Sequence, residues 1–271
     1  MMPELPEVET VVQTLKNLVL HKKIIKVDVF WDNIIVYDVE EFKKVLINQH
    51  INDIKRKGKV IIFELDDYDM LSHLRMEGKY YFDHSYIRDK YTHVIFTFDD
   101  KTYLRYHDVR KFGKISLCKK EALLEHPFIK DMGPEPFNIT KEELYAKLQK
   151  KRIPIKSALL DQHIMAGLGN IYTDEVLFRA KIHPLRKANS VSLQECHDII
   201  TDSISILNKA IALGGTTIRS YTSSLGVTGR FQNELLVHTK ENEPCPVCHH
   251  KIVKIEVNGR GTYFCPHCQK K

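Results

Sequence analysis

Apolar residues at Val8, Val11, Val12, Leu15 and Leu18 recur at helical spacing, which predicts an amphipathic helix over residues 6–19 with one face to be covered. The runs that follow are β-rich: 24–30, 60–65, 70–74, 80–82, 93–98 and 103–106, separated by charged turns such as Asp66-Asp67 and Asp99-Asp100. Strands in succession with no helical run between them predict an antiparallel sandwich or barrel with the first helix packed on it. From about Thr140 the period becomes helical again. Residues 142–150, 154–162, 171–179 and 193–213 are the expected helices, with Thr140 and Ser192 as N-caps and Gly214-Gly215 as a stop. Residues 214–233, rich in Gly, Ser and Thr, carry no period and read as a loop of the kind that touches ligand. Near the end, 251–257 and 262–264 read as the strands of a hairpin. The class is α+β.

Composition narrows the picture. With 271 residues, 43% of them hydrophobic, the chain has enough apolar material for two or three domains and no biased tract that would stay unfolded. The longest apolar stretches, at 60–63 and 204–213, are far shorter than the ~20 residues of a membrane span, and the start lacks the pattern of a secretory signal. A cytoplasmic location is the expectation. Net charge is +6, but residues 150–271 carry +7 and the first 149 carry −1. A basic C-terminal part suits a polyanion such as nucleic acid, or simply a solubility-driven surface.

Six cysteines in such a chain do not read as disulfides. Cys245, Cys248, Cys265 and Cys268 form two Cys-x-x-Cys pairs, each of which turns two thiolates toward one point, and two such turns complete a tetrahedron around one structural zinc ion. His249, His250 and His267 lie close by, but four thiolates already saturate the metal.

Two further segments can carry chemistry. A proline at an exposed chain start is a secondary amine that can attack an electrophilic sugar carbon and form an iminium ion, an electron sink that favours elimination. Pro3 is placed for this, with Glu4 and Glu7 within one helical turn as proton donors or acceptors. The same residues also open helices without any chemical role. Gly167-Leu168-Gly169-Asn170 precedes a helix that Asn170 can cap, where free amides favour an anionic oxygen, although a plain cap has the same look.

Taken in order, Pro3-Glu4-Leu5-Pro6-Glu7-Val8-Glu9, Lys57-Gly58-Lys59-Val60, His73-Leu74-Arg75-Met76-Glu77-Gly78, Asp108-Val109-Arg110-Lys111-Phe112-Gly113, Gly167-Leu168-Gly169-Asn170-Ile171-Tyr172 and the four-cysteine finger closely resemble the bacterial formamidopyrimidine-DNA glycosylases over essentially 2–271. The resemblance implies an N-terminal catalytic β-sandwich domain (1–135), a helix-two-turn-helix DNA-binding domain (136–225) and a zinc-finger β-hairpin (236–271), with DNA between the halves. It implies a monomeric glycosylase and AP lyase of base excision repair, acting on double-stranded DNA that contains oxidised purines or abasic sites. Pro3 would be the nucleophile at C1′, Glu4 the acid that helps the base leave, Lys59 a proton donor and phosphate contact, and Arg260, at the finger's hairpin tip, a phosphate contact that assists δ-elimination. Met76, Arg110 and Phe112 would fill the void left by an extruded nucleotide, which otherwise costs a few kcal/mol of stacking. His93, Arg110, Arg152 and Asn170 match DNA-contact positions.

The chain departs from the family at Val109, Lys111 and Val237-His238-Thr239, where proline, arginine and Val-Tyr-Gly are common. The stretch 216–229 resembles the lesion-capping segment only loosely. Leu5 favours the purine branch over an oxidised-pyrimidine endonuclease of the same superfamily. A catalytically silent protein that binds damaged DNA is the alternative if Pro3 is not exposed. Because initiator methionine is removed before a small residue, the expectation is a start at Met2 and an active protein that begins with Pro3.

Overall fold

The computed structural model describes residues 2–216 and 229–271; Met1 and 217–228, most of the segment expected to cap a lesion, lie outside them. Two compact units divide the chain, one of residues 2–130 with 214–216 and 229, the other of 131–213 with 230–271.

The first unit opens with α1 (Leu5–Val19), which carries Pro6 in its first turn, where a missing N–H costs nothing. There follow β1 (Ile24–Val29), β2 (Ile35–Val36), α2 (Val39–Leu46), β3 (Asp53–Lys57), β4 (Val60–Glu64), β5 (Tyr68–His73), β6 (Lys79–Asp83), β7 (Thr92–Phe98), β8 (Tyr103–His107) and β9 (Lys114–Lys119). One sheet has the order β1-β7-β8-β6 and is antiparallel throughout. The other has the order β2-β9-β5-β4-β3 and is antiparallel except for the short parallel β2/β9 pair. Leu15 of α1, Phe63 and Leu117 of one sheet, and Phe96 and Tyr106 of the other share a single core, so the expected sandwich with a packed helix is formed. α1 lies along β3 and β4. β2, α2, β3 and β9 are not among the elements that the hydrophobic pattern predicts.

The second unit holds α3 (Lys141–Gln149), α4 (Ile155–Leu159), α5 (Asn170–Arg179), α6 (Leu193–Ala212) and the hairpin β10 (Val253–Val257) and β11 (Arg260–Phe264). Thr140 and Ser192 are the N-caps expected. Each hydroxyl accepts the N–H of a glutamate three residues on, Glu143 or Glu195, whose carboxylate returns to the cap N–H. α6 stops before Gly214, whose φ of 75° needs no side chain. α3 and α5 both pack on α6.

Three expectations need correction here. The helix predicted to reach residue 162 ends at Leu159, because Gln162 takes Gly167 N–H on its Oε1 and donates to Leu160 and Leu168 carbonyls, so side-chain bonds brace 160–168 as a turn. Gly169, not Asn170, is the N-cap of α5, which leaves the Asn170 amide for other use. Arg260 is not at the hairpin tip but in the ladder opposite Val257. The tip is Asn258-Gly259, with φ of 49° and 74°, the pair that a two-residue type I′ turn demands. No helix among the described residues is long and apolar enough to cross a membrane.

Candidate active site and zinc centre

Pro3 and Glu4 are buried at the entry to α1. Glu4 donates its N–H to Glu7 Oε2 at 2.9 Å, while Glu7 Oε1 accepts the N–H of Thr216 at 2.7 Å. Gly215, at φ +77°, lies against this carboxylate, and a Cβ there would come within 2.8 Å of Glu7 Oε1. Glu7 is therefore a clamp that fixes the N-terminal residues to a segment 209 positions later. Its role was not legible from the helix it belongs to.

Lys59 follows Gly58 in the turn between β3 and β4, where an exposed lysine would be ordinary. It is only 4% exposed. The next residue, Val60, pairs across the ladder with His73 at the end of β5. His73 Nδ1 accepts the N–H of Arg75 at 3.0 Å. Burial, and then the positive charges of Arg75 and Lys59, push the imidazole pKa down to about 3. His73 is thus neutral at pH 7, with its proton on Nε2, and offers a hydrogen-bond donor beside an ammonium group. His73 lies in one of the motifs that carry the resemblance, but the motif alone assigns it no role.

Met76, Arg110 and Phe112 sit on two loops built alike. In each, a non-glycine residue in the left-handed region, Arg75 at φ 53° or Lys111 at φ 58°, comes just before the apolar side chain, Met76 or Phe112. Buried Asp108 holds the second loop from below, its carboxylate accepting Arg110 N–H at 2.9 Å and Gly113 N–H at 2.8 Å. Its carbonyl accepts Nε2–H of buried His93 at 2.7 Å. The Arg110 guanidinium stacks 4.7 Å from the Phe112 ring, Lys111 lies 3.9 Å over Trp31, and Phe112 remains 49% exposed. An aromatic ring held at that exposure by a fastened loop is unlike a core residue. Under both loops lies the Tyr106 hydroxyl. A Cβ on Gly78 would fall 2.2 Å from it, and one on Gly113 1.7 Å. Met2, Arg75, Met76, Arg110 and Phe112 line one cleft of about 560 Å³.

In the second unit the Asn170 amide donates to Gly261 O at 2.9 Å and ties α5 to the hairpin. Lys156, with no exposed surface, joins the same carbonyl at 3.2 Å, Thr262 Oγ1 at 2.8 Å and Asp174 Oδ1 at 2.8 Å. Asp174 Oδ2 also accepts from His238 Nδ1 at 2.8 Å. Asn170, His238, Lys254 and Tyr263 border a cleft of about 530 Å³. Arg152 and Arg260 are exposed. The Lys156–Asp174–His238 chain escaped the sequence reading, since its members are 18 and 64 positions apart.

The four cysteine sulfurs lie within 4.8 Å of one another, with Cys245 3.9 Å from Cys268 and Cys248 3.4 Å from Cys265. A tetrahedron with Zn–S bonds of about 2.3 Å has edges of about 3.8 Å. The set fits zinc with no position left for water. Exposed His250 and His267 stack on each other at 4.2 Å.

Residues 2–115 match the formamidopyrimidine-DNA glycosylase N-terminal domain family, 132–222 the H2TH domain of the same glycosylase, and 242–271 the zinc finger found in FPG and IleRS. The chain belongs to the formamidopyrimidine-DNA glycosylase family. It is 47% identical to the formamidopyrimidine-DNA glycosylase of Listeria innocua, over 99% of this chain and all of that one. With the enzyme of Bacillus licheniformis the identity is 49%, with full coverage of both. Its fold matches Lactococcus lactis Fpg in complex with DNA containing an abasic site, with a TM-score of 0.92 at 43% identity, covering 99% of this chain and all of that one. The family's finger and the four-sulfur cluster agree, and one structural zinc ion is held by Cys245, Cys248, Cys265 and Cys268.

Proposed function

We propose that the chain is a bifunctional DNA glycosylase and AP lyase of base excision repair that removes oxidised purines, 8-oxoguanine and formamidopyrimidines, from double-stranded DNA. The observation that carries this reading is that Met2, the residue joined to Pro3, lines the same cleft as Met76, Arg110 and Phe112. A nucleophile for C1′ and side chains that fill the space of an extruded nucleotide are needed at one place, because the sugar is reached only when the base leaves the stack.

In this mechanism the free Pro3 nitrogen attacks C1′, the glycosidic bond breaks with Glu4 supplying a proton, and an iminium ion results. Loss of a C2′ proton expels the 3′ phosphate, and a second elimination expels the 5′ phosphate. Lys59 donates protons during elimination, and its charge, with the Nε2–H of His73, suits a phosphate oxygen. The Glu7 clamp positions Pro3 and Glu4. Phe112 and Met76 act as wedges and Arg110 faces the orphaned base, on a loop that His93 supports through Asp108. Asn170, Arg152 and Arg260 hold the DNA backbone. Segments 1–135, 136–225 and 236–271 divide the work into catalysis, DNA binding and zinc-supported contact, in a monomeric cytoplasmic protein.

The reaction needs Pro3 as an amine, since in a peptide bond its lone pair is delocalised. Borohydride trapping on an 8-oxoguanine duplex tests nucleophile and substrate together. The expected product is a covalent complex whose intact mass lacks both methionines. Active protein that retains Met2 would refute the proline nucleophile.

A further inference from the structure

We propose that His238 is a proton-coupled phosphate anchor: a DNA phosphodiester entering the cleft beside Asn170 draws a proton onto its imidazole, so that binding takes up a proton near neutral pH. This rests on the DNA-binding function proposed above.

The tautomer comes first. His238 is 5% exposed, lines the cleft, and has its Nδ1 2.8 Å from Asp174 Oδ2. An ionised carboxylate can only accept, so Nδ1 carries the proton of the neutral ring. The neutral ring then presents a bare lone pair on Nε2, for which the described residues supply no partner. A lone pair repels a phosphate oxygen. Only the imidazolium has an Nε2–H to donate to it.

The surrounding charges favour that change. From α5, Asp174 and Glu175 face the ring and its backbone. Glu175 accepts the N–H groups of Leu236, Val237 and His238 at 2.9, 3.0 and 2.8 Å. From α4, Lys156 neutralises one of these two carboxylates. From the hairpin, the Tyr263 ring stands edge-on to the imidazole at 5.0 Å, and Lys254 and Glu256, of opposite charge, line the cleft. Burial pushes the Glu175 carboxyl pKa up, against the three N–H groups that favour its ionised form, so the carboxylate that supports an imidazolium is Asp174, shared between Lys156 and His238. Histidine is the side chain able to make this change in the neutral range. The tyrosine common at this position in the family would donate a hydrogen bond at any such pH, so the coupling belongs to chains that carry histidine here.

The test uses the full-length zinc-loaded protein and a duplex with a tetrahydrofuran abasic analogue, at fixed ionic strength. Calorimetry at pH 7.5 in two buffers of different ionisation enthalpy counts protons. Uptake approaching one proton is expected, with affinity falling by up to about tenfold per pH unit as pH rises. His238→Gln, which can donate without ionising, should take up none and bind with a flat pH profile. Binding without proton uptake, or uptake that persists in His238→Gln, overturns the proposal and leaves the glycosylase reading intact. Failure of the wild-type protein to bind the duplex overturns both. Should His238→Gln not fold, the ring carbon and nitrogen resonances of His238 in the wild-type protein decide. A shift from the Nδ1–H tautomer to imidazolium on adding duplex supports the proposal, and a ring that stays neutral in the complex overturns it.

Discussion

The Glu7 carboxylate accepts two backbone N–H groups, Glu4 on one oxygen and Thr216 on the other. Glu7→Gln sets an amide NH₂ against one of those donors, and the expected cost is about 1–3 kcal/mol in urea unfolding, together with a lower yield of trapped complex. His73 makes a prediction in pH. Its folded pKa of about 3 lies below the ordinary 6.5, so between those values the unfolded chain binds the extra proton. Its contribution is complete above pH 6.5 and declines as the pH falls, by up to about 1.4 kcal/mol per unit. His73→Asn keeps an acceptor for Arg75 N–H but cannot charge, and should flatten the loss of stability between pH 6.5 and 5. Such roles were hidden in the sequence for one reason. Residue type shows that Glu7 and His73 can carry or accept protons, but only the fold shows which partner reaches them.

Elements with a strong period were legible. α1, α3, α5 and α6 came within two residues of their bounds, because each carries an apolar stripe or a capping residue. β3 was missed because it buries only Ile54 among charged neighbours, and α2 because it buries only Phe42 and Leu46. The loops of Met76 and Phe112 tell the same story in finer detail: Met76, Arg110 and Phe112 could be picked out by resemblance, but not the Tyr106 hydroxyl that lies under both. Gly78→Ala and Gly113→Ala should each destabilise by about 1–3 kcal/mol through overpacking, and each should weaken lesion excision through a displaced wedge. Tyr106→Phe removes the nearest atom but leaves the Leu74 carbonyl oxygen 2.7 Å from a methyl on residue 78 and the ring carbon 2.9 Å from one on residue 113. Rescue of either alanine variant should therefore be partial, as double-mutant unfolding would show. At the finger, Gly259→Ala meets no neighbouring atom, so its cost should be the backbone strain alone, about 1–2 kcal/mol.

For the whole chain, the charge split seen in the sequence predicts affinity that falls steeply with salt, with a log–log slope of about −0.9 per neutralised phosphate. Arg260→Ala should flatten it by roughly one unit. Titrations at several salt concentrations measure both. Zinc is structural, so chelation or Cys248→Ser should abolish duplex binding while circular dichroism and urea unfolding show the first unit still folded. Chelated protein that binds as before would refute this.

The bond from Thr216 to Glu7 also sets an order of assembly. The first unit owns residues 214–216 and 229, so it is completed only after the whole stretch 131–213 has been made. On the ribosome, the sandwich can collapse early around Phe63, Phe96 and Tyr106, but the Glu7 clamp waits some two hundred residues for its second donor. A nascent chain stalled before Gly214 would hold a folded sandwich whose N-terminus is not yet locked. Competence for catalysis would then wait for the last stretch of the chain, which supplies first Thr216 and then the cysteines of the finger.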